Sequence, residues 1–362
     1  MSGFVFTGGG TGGHLLPAIA VARALEAERP GVAVTFLGPA NRGERRAVEA
    51  AGLPFEEVPA AAIRGRSPVG LLRSLLTLLR GTVIALRHLR RLRPAAVFST
   101  GGYGSFPVSL AAWLLRRPLV VFLPDVVPGL AVRVEQRLAT RIATSTPRAL
   151  DHLPAGKTAV TGYPVRPEFF ALDRVAARAA LGIPPADSLV VVAGASQGAR
   201  AINEAVFAGL ESLLHRAYLV HVTGDAGYAE AARRRDALPP ALRERYLPAA
   251  FRDDLPAVML AADLGVFRAG ASILGELPAA ALPAILVPGT FAGGHQRDNA
   301  RWLTDHGAAR LVEEADLAAL PGLVAGLLDD PAALAAMREA SAALARPDAA
   351  AAIARILLEV AK

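Results

Sequence analysis

His14 follows a run of five glycines around one threonine: Gly8, Gly9, Gly10, Thr11, Gly12 and Gly13. Imidazole ordinarily changes charge between about pH 5 and 8, so it can take a proton from an attacking hydroxyl near neutrality. A glycine-rich turn lets the backbone approach a ligand closely, and a helix behind it directs free N–H groups at phosphate or sugar. On residue type and position, His14 is a general base, a ligand for an acceptor phosphate, or a histidine that only caps the helix. Gly8–Gly13 also spells G-x-G-x-x-G, yet neither common nucleotide reading fits. A dinucleotide site wants an acid about 20 residues on, at the end of the second strand. Here that strand runs into "FLGPANRG", with no acid before Glu44. A P-loop needs Lys followed by Ser or Thr where His14-Leu15 stands.

Three more glycine-bearing turns follow apolar runs: "STGGYGSFPVSLAAW" at 99–113, "GASQGARAIN" at 194–203 and "FRAGASILGE" at 267–276. The elements that must position them alternate in type. Strands are expected at Phe4–Phe6, Ala33–Leu37, Ala96–Ser99, Leu119–Phe122, Ala159–Thr161, Leu189–Ala193, Tyr218–Val222, Leu264–Phe267 and Ala284–Val287. Pro17–Ala27 and Ala199–Leu214 read as helices. Such alternation predicts an α/β fold with parallel sheets covered on both faces. Strand, glycine turn and helix occur at "GFVFTGGGTGGHLLPAIA" and again at "LVVVAGASQGARAINEAV", so two doubly wound domains are expected. "TGYPVRPEFF" reads as the linker. The expected division is 1–162, then 163–345, then a terminal helix, 346–362, with Asp348 as its N-cap and packing back on the N-terminal domain. Ligands of open α/β sheets bind at strand C-ends, so two such domains facing each other would enclose a cleft.

Composition narrows the classes. The 362 residues suffice for two cores, and 53% of them are apolar. With no cysteine, disulfide scaffolds and cysteine-ligated metals are excluded. Lys plus Arg outnumber Asp plus Glu by 39 to 32, a net charge of +7 that favours an anionic partner. "MSGFVF" lacks the basic start of a signal peptide, and no run of about 18 residues is both apolar and uncharged, so no membrane span is expected.

The ordered segments "GGTGGHLLPAIAVA", "GGYGSFPVSLAA", "GYPVR", "GASQGARAIN", "RAGASILGELPAAALPAILVPG" and "HQRDNARWL" resemble those of the MurG family of UDP-GlcNAc transferases, over roughly residues 8 to 310. The resemblance implies two Rossmann-like domains in the glycosyltransferase B fold, with the acceptor on the first and the nucleotide sugar on the second. It implies inverting transfer of GlcNAc from UDP-GlcNAc to lipid I, giving lipid II for peptidoglycan, without cofactor or metal. One segment departs from the pattern. Where the family carries His-Glu-Gln-Asn after the strand following the second glycine turn, this chain reads Phe122-Leu123-Pro124-Asp125. Tyr163 stands for the usual Asn of "GNPVR", and Pro278 follows "GEL".

Carried over by position, the resemblance makes His14 the base or acceptor-phosphate ligand. It places Gly101, Gly102, Tyr103 and Asp125 on the acceptor side. For the donor it implies the backbone of Thr11, Gly12 and Gly13; Ser196, Gln197 and Gly198 with Arg166 at the diphosphate; and Phe251 and Arg252 flanking the uracil. Arg268 and Gly270 lead to Glu276, which accepts from both ribose hydroxyls, while His295, Gln296 and Asn299 read the GlcNAc hydroxyls. Residue by residue, simpler readings exist: Glu276 at a helix start is favoured by the dipole alone, and Arg166 fits a surface ion pair.

Residues 67–93 read "SPVGLLRSLLTLLRGTVIALRHLRRLR". Arg73, Thr77, Arg80, Arg87 and Arg91 share one helical stripe beside Leu71, Leu72, Leu75, Leu76 and Leu79. A basic, leucine-rich helix suits an anionic membrane surface, and the absence of stacking aromatics here speaks against nucleic acid. Trp113 in "AAWLLRR" extends the same patch. The expected location is peripheral, on the cytoplasmic face of the plasma membrane. Two other functions use the same residues: a related UDP-sugar transferase with another lipid acceptor, and a nucleotide-sugar binding protein without turnover.

Overall fold

A computed structural model describes residues 3–9, 12–40, 43–63, 67–194, 199–289 and 294–362. The chain forms two compact units, Met1–Val165 with Arg346–Lys362, and Arg166–Ala345.

The first unit alternates strand and helix: β1 (Phe4–Thr7), α1 (Gly12–Glu28), β2 (Val34–Gly38), α2 (Glu44–Ala50), β3 (Phe55–Glu57), α3 (Pro68–Leu92), β4 (Ala96–Ser99), α4 (Phe106–Leu114), β5 (Leu119–Leu123), α5 (Leu130–Leu138), β6 (Arg141–Thr144) and β7 (Thr158–Val160). The strands pair in parallel in the order β3-β2-β1-β4-β5-β6-β7. β1 and β5 are buried along their whole length, as a sheet covered on both faces requires.

The second unit repeats the plan. It runs through α6 (Glu168–Ala171), α7 (Arg174–Ala180), β8 (Ser188–Ala193), α8 (Arg200–Ala208), α9 (Leu210–Leu214), β9 (Ala217–Val222), α10 (Asp225–Ala237), α11 (Pro240–Arg243) and β10 (Tyr246–Ala249). Then come α12 (Leu255–Ala261), β11 (Leu264–Arg268), α13 (Ile273–Ala279), β12 (Ala284–Val287), α14 (His295–Asp305), β13 (Ala309–Leu311), α15 (Leu320–Leu328) and α16 (Pro331–Ala343). Its parallel sheet has the order β10-β9-β8-β11-β12-β13. Counted from each unit's first strand, both sheets reverse direction between strands one and four. The helix expected over 199–214 breaks at Gly209, where a Cβ would lie 2.4 Å from Pro321 Cγ.

Beneath the end of β9, His221 is fully buried. Its Nδ1 lies 3.0 Å from Tyr246 Oη and its Nε2 3.1 Å from Asn203 Oδ1. The amide oxygen can only accept, so Nε2 carries the proton and the tyrosine donates to Nδ1. Burial pushes this imidazole down to about 3.

The last helix, α17 (Ala349–Val360), returns to the first unit. It buries Ala349, Ile353, Ala354, Ile356 and Leu357 against α1, β4 and β6.

Candidate functional site

In both sheets the reversal of strand order brings two strand ends side by side. Thr7 at the end of β1 is in register with Ser99 at the end of β4, and Ala193 of β8 with Phe267 of β11. These are the ends that carry the glycine turns, and such switch points are where open α/β sheets bind ligands.

In the first unit the two turns interlock. A Cβ on Gly8 would sit 2.0 Å from Thr100 Oγ1. Gly102 has φ +83°, and a Cβ there would lie 2.6 Å from the Gly9 carbonyl oxygen and 3.6 Å from His14 Nε2. Only glycine accommodates both that conformation and that approach. His14 stands in the first turn of α1, and its Nδ1 lies 2.8 Å from the Thr100 carbonyl oxygen. A carbonyl only accepts, so Nδ1 carries the proton and the neutral ring keeps its lone pair on Nε2, beside Gly102.

Two of the residues that depart from the family pattern touch each other. Phe122 and Tyr163 meet edge to face, with ring centroids 5.9 Å apart. The Tyr163 hydroxyl donates to the Gly13 carbonyl at 3.0 Å, bracing the residue before His14. Phe122 and Leu123 are fully buried in β5, so within this run only Pro124 and Asp125 lie beyond the strand. Asp125 and Tyr103 are half-buried. Gly12 and Gly13 open α1, and Gly101, with φ +77°, lies against Val132. Thr11 lies outside the described residues.

Sequence reasoning passed over Glu135, which is fully buried beneath the second glycine turn. Its two carboxyl oxygens lie against the hydroxyls of Ser99, at 3.0 Å, and Ser105, at 2.7 Å. Burial pushes this carboxyl up to about 7, with the hydroxyls of Ser105, Ser109 and Ser99 partly opposing the shift. In sequence it stands three residues after the apolar Val132, a spacing too common on amphipathic helices to single it out.

In the second unit, Arg166 and Glu276 come together with the loop before α12. An Arg166 amine lies 3.9 Å from Glu276 Oε1, and Nη1 donates to the Asp253 carbonyl at 3.3 Å. Burial raises the Glu276 carboxyl, while the Arg166 charge and the Ser272 hydroxyl oppose that. Two residues along that loop, Phe251 is 65% exposed, an unusual position for a large aromatic. Arg252 is paired with Asp254 at 2.8 Å. Gly270 has open space where a Cβ would be.

Arg268 and Asn299, expected at the donor, are both buried in the second unit. Arg268 is buried; it donates to the carbonyls of Val287 and Pro288 and pairs with Glu314 at 2.7 Å. Asn299 is fully buried and donates to the Ala269 carbonyl at 3.1 Å. Both hold the turn after β11 in place from within the unit. Gln296 Oε1 accepts from the Gly289 N–H at 2.8 Å, which leaves its amide N–H groups as the end suited to a sugar oxygen. His295 Nδ1 is buried and has no hydrogen-bond partner among the described residues. Ser196, Gln197 and Gly198 lie outside the described residues. Among the described residues no group of three or more His, Asp or Glu side chains is placed to hold a metal ion.

Two parallel α/β units whose strands follow the same order, each with glycine-bearing stretches after its strand C-ends, make up the glycosyltransferase B fold. Residues 4–144 match the glycosyltransferase family 28 N-terminal domain and residues 188–353 the family 28 C-terminal domain. The chain belongs to glycosyltransferase family 28, in its MurG branch. A UDP-N-acetylglucosamine–N-acetylmuramyl-(pentapeptide) pyrophosphoryl-undecaprenol N-acetylglucosamine transferase of Roseiflexus sp. is 42% identical, over 97% of this chain and 93% of its own length. One of the same description from Desulforudis audaxviator is 39% identical, over 95% of both. The crystal structure of Acinetobacter baumannii MurG matches with a TM-score of 0.74 at 25% identity, covering 99% of this chain and 100% of that one.

Proposed function

We propose that the chain moves N-acetylglucosamine from UDP-GlcNAc to the muramoyl hydroxyl of undecaprenyl-diphospho-muramoyl-pentapeptide, lipid I. The products are lipid II and UDP, with inversion at the anomeric carbon. The observation that carries the reading is the bond between His14 Nδ1 and the Thr100 carbonyl, which leaves Nε2 as a proton acceptor between two glycine turns. In the reaction, Nε2 takes the hydroxyl proton as the oxygen attacks the anomeric carbon. The bond from that carbon to the β-phosphate oxygen breaks, and the charge appears on UDP. Glu276 accepts from the ribose, Arg166 supplies positive charge toward the diphosphate, and Gln296 donates to a sugar hydroxyl. The relatives' descriptions name this donor and acceptor. Purified protein supplied with UDP-GlcNAc and a lipid I analogue should release UDP. Absence of release with lipid I, but release with another polyprenyl or diacylglycerol acceptor, would replace the acceptor and keep the donor.

We propose further that the protein works as a peripheral protein on the cytoplasmic face of the plasma membrane, docking through α3. Val69, Leu72, Leu75, Leu76 and Leu79 are exposed on this helix, with Arg73, Arg80 and Arg87 exposed among them. By length and composition α3 could cross a bilayer. Its other face is committed within the unit: Ser74, Gly81, Thr82, Ala85 and Leu89 are buried, and Gly81 fits against Pro59 and Pro107. Trp113 and Leu114 are exposed at the end of the neighbouring α4. Leucines inserted at the headgroup boundary, flanked by arginines, suit anionic lipid and would bring the site to a lipid-linked acceptor.

A further inference from the structure

Glu135 takes no part in the transfer just described, yet it sits under the turn that faces His14. The hydroxyl of Ser99 donates to its Oε2 at 3.0 Å and in turn accepts the N–H of Gly101 at 3.1 Å. On the other side, Ser105 Oγ lies 2.7 Å from Glu135 Oε1 and 2.9 Å from the Gly102 carbonyl oxygen. The backbone N–H of Ser105 reaches the same carbonyl at 3.3 Å. Glu135 therefore grips both ends of the stretch that contains the Thr100 carbonyl, Gly101 and Gly102.

The number of hydrogens available to these contacts sets the protonation state that satisfies them. Ser105 has one hydroxyl hydrogen, while the Gly102 carbonyl can only accept. If Glu135 is ionised, its Oε1 can also only accept, and one of these two short contacts is left without a hydrogen. If Glu135 carries a proton on Oε1, it donates to Ser105, and Ser105 donates to Gly102. Every contact is then satisfied. Among the described residues, the groups facing Glu135 from the elements around it are hydroxyls, Ser99 from β4, Ser105 from the N-cap of α4 and Ser109 from α4 itself, while β5 presents only apolar residues. On α5 itself, Arg133 and Arg137 are exposed, and Arg133 donates to the Pro128 carbonyl. Burial without a facing cation agrees with a carboxyl raised to about 7.

We infer that Glu135, as a neutral carboxylic acid, is a positioning residue for the acceptor site, holding the Gly101–Gly102 turn against His14 through Ser99 and Ser105. The inference rests on the reading of that turn as the acceptor wall. When Glu135 loses its proton, the Gly102 carbonyl loses the Ser105 hydroxyl and the turn loosens.

Glu135→Gln and Ser105→Ala variants of the full chain test this. Glutamine reproduces the acid: its N–H donates to Ser105 and its oxygen accepts from Ser99. In the wild type, KM for a lipid I analogue should rise several-fold from about pH 6 to about pH 8.5, while KM for UDP-GlcNAc changes little. Glu135→Gln should keep neutral-pH turnover within about two-fold and flatten that rise. Ser105→Ala should show the raised acceptor KM at every pH. A purely structural role would instead lower thermal stability with acceptor KM unmoved. An infrared difference spectrum, wild type minus Glu135→Gln, gives a readout that needs no turnover. It should show a protonated carboxyl band at about pH 6 that fades as pH rises through about 7. A wild type inactive on lipid I while keeping that band would sink the proposed reaction and leave the carboxylic-acid grip standing. A carboxylate band throughout the range, or a Glu135→Gln pH profile identical to wild type, overturns the inference.

Discussion

The ring of His14 and the carbonyl of Thr100 meet at 2.8 Å although 86 residues separate them in sequence. That contact joins the turn after β1 to the turn after β4 and fixes which ring nitrogen is free. Because the partner is a backbone oxygen, no side-chain substitution at Thr100 removes it directly. His14→Ala should lower kcat/KM by about 10²- to 10⁴-fold, the range of a lost general base. Calorimetry should give a UDP-GlcNAc affinity close to wild type. Retained turnover with weakened acceptor binding would make His14 a phosphate ligand instead of the base.

Gly102→Ala places a methyl group 2.6 Å from the Gly9 carbonyl oxygen in a backbone conformation that L side chains rarely adopt. The cost should be about 1–3 kcal/mol of strain, seen as a lower melting temperature, and acceptor turnover should fall further than stability does. Gly270→Ala, which has open space, should leave the melting temperature nearly unchanged.

Phe122 and Tyr163 should behave as a coupled pair. A double-mutant cycle of Phe122→Ala and Tyr163→Ala should return a coupling of about 0.5–1.5 kcal/mol for their edge-to-face contact. Tyr163→Phe keeps the ring contact and removes only the hydrogen bond to Gly13, which should cost about 1 kcal/mol. If Tyr163→Phe also lowers kcat, the hydroxyl helps to place His14.

Glu276→Gln keeps the shape of the side chain and removes its charge. KM for UDP-GlcNAc should rise about ten-fold or more, as expected when a charge-assisted pair is reduced to a neutral one. Burial raises the Glu276 carboxyl above its ordinary value of 4.5. Donor affinity should therefore be lost on acidification at a higher pH than for an ordinary carboxylate, because the ionised form is the one that accepts from the ribose, and titration calorimetry against pH checks it.

Two buried groups give the units opposite pH sensitivities. Glu135 is raised from 4.5 to about 7, so the folded state holds the proton more tightly. Its contribution is full below about pH 4.5 and is lost as pH rises to about 7, on the order of 3 kcal/mol in all. His221 is lowered from 6.5 to about 3, so the unfolded state holds the proton more tightly. Its contribution is full above about pH 6.5 and is lost as pH falls to about 3, on the order of 5 kcal/mol. Melting curves should show Glu135→Gln stabilised relative to wild type at about pH 8 but not at pH 4.

Apolar runs made the central strands legible. β4 and β12 coincide with the stretches read from sequence, because a strand buried on both faces is a continuous apolar word. The strands that escaped notice were short and partly polar. β3, β10 and β13 lie at sheet edges, and β6, "RIAT", is one strand in from an edge and begins with an arginine. At the site, the glycine turns, His14 and Glu276 stood out by residue type. Glu135 did not, because a glutamate on an amphipathic helix ordinarily faces water and no local pattern marks this one as buried. Arg268 and Asn299 raise the converse question. A polar side chain beside a functional turn can bind ligand or hold the turn from behind, and only the fold separates the two.

The return of α17 to the first unit sets the order in which the protein can be completed. Residues 166–345 form their unit from one uninterrupted stretch, whereas the first unit needs residues from both ends of the chain. On a ribosome, the segment made second can finish folding first. The opening 165 residues must wait, with the face of α1 that will meet Ile353 and Leu357 uncovered, until the final helix emerges. A product truncated near residue 345 would thus carry a whole second unit beside an incomplete first one. An isolated first unit would be made soluble by joining residues 346–362 to residue 165 through a linker, not by stopping the gene there.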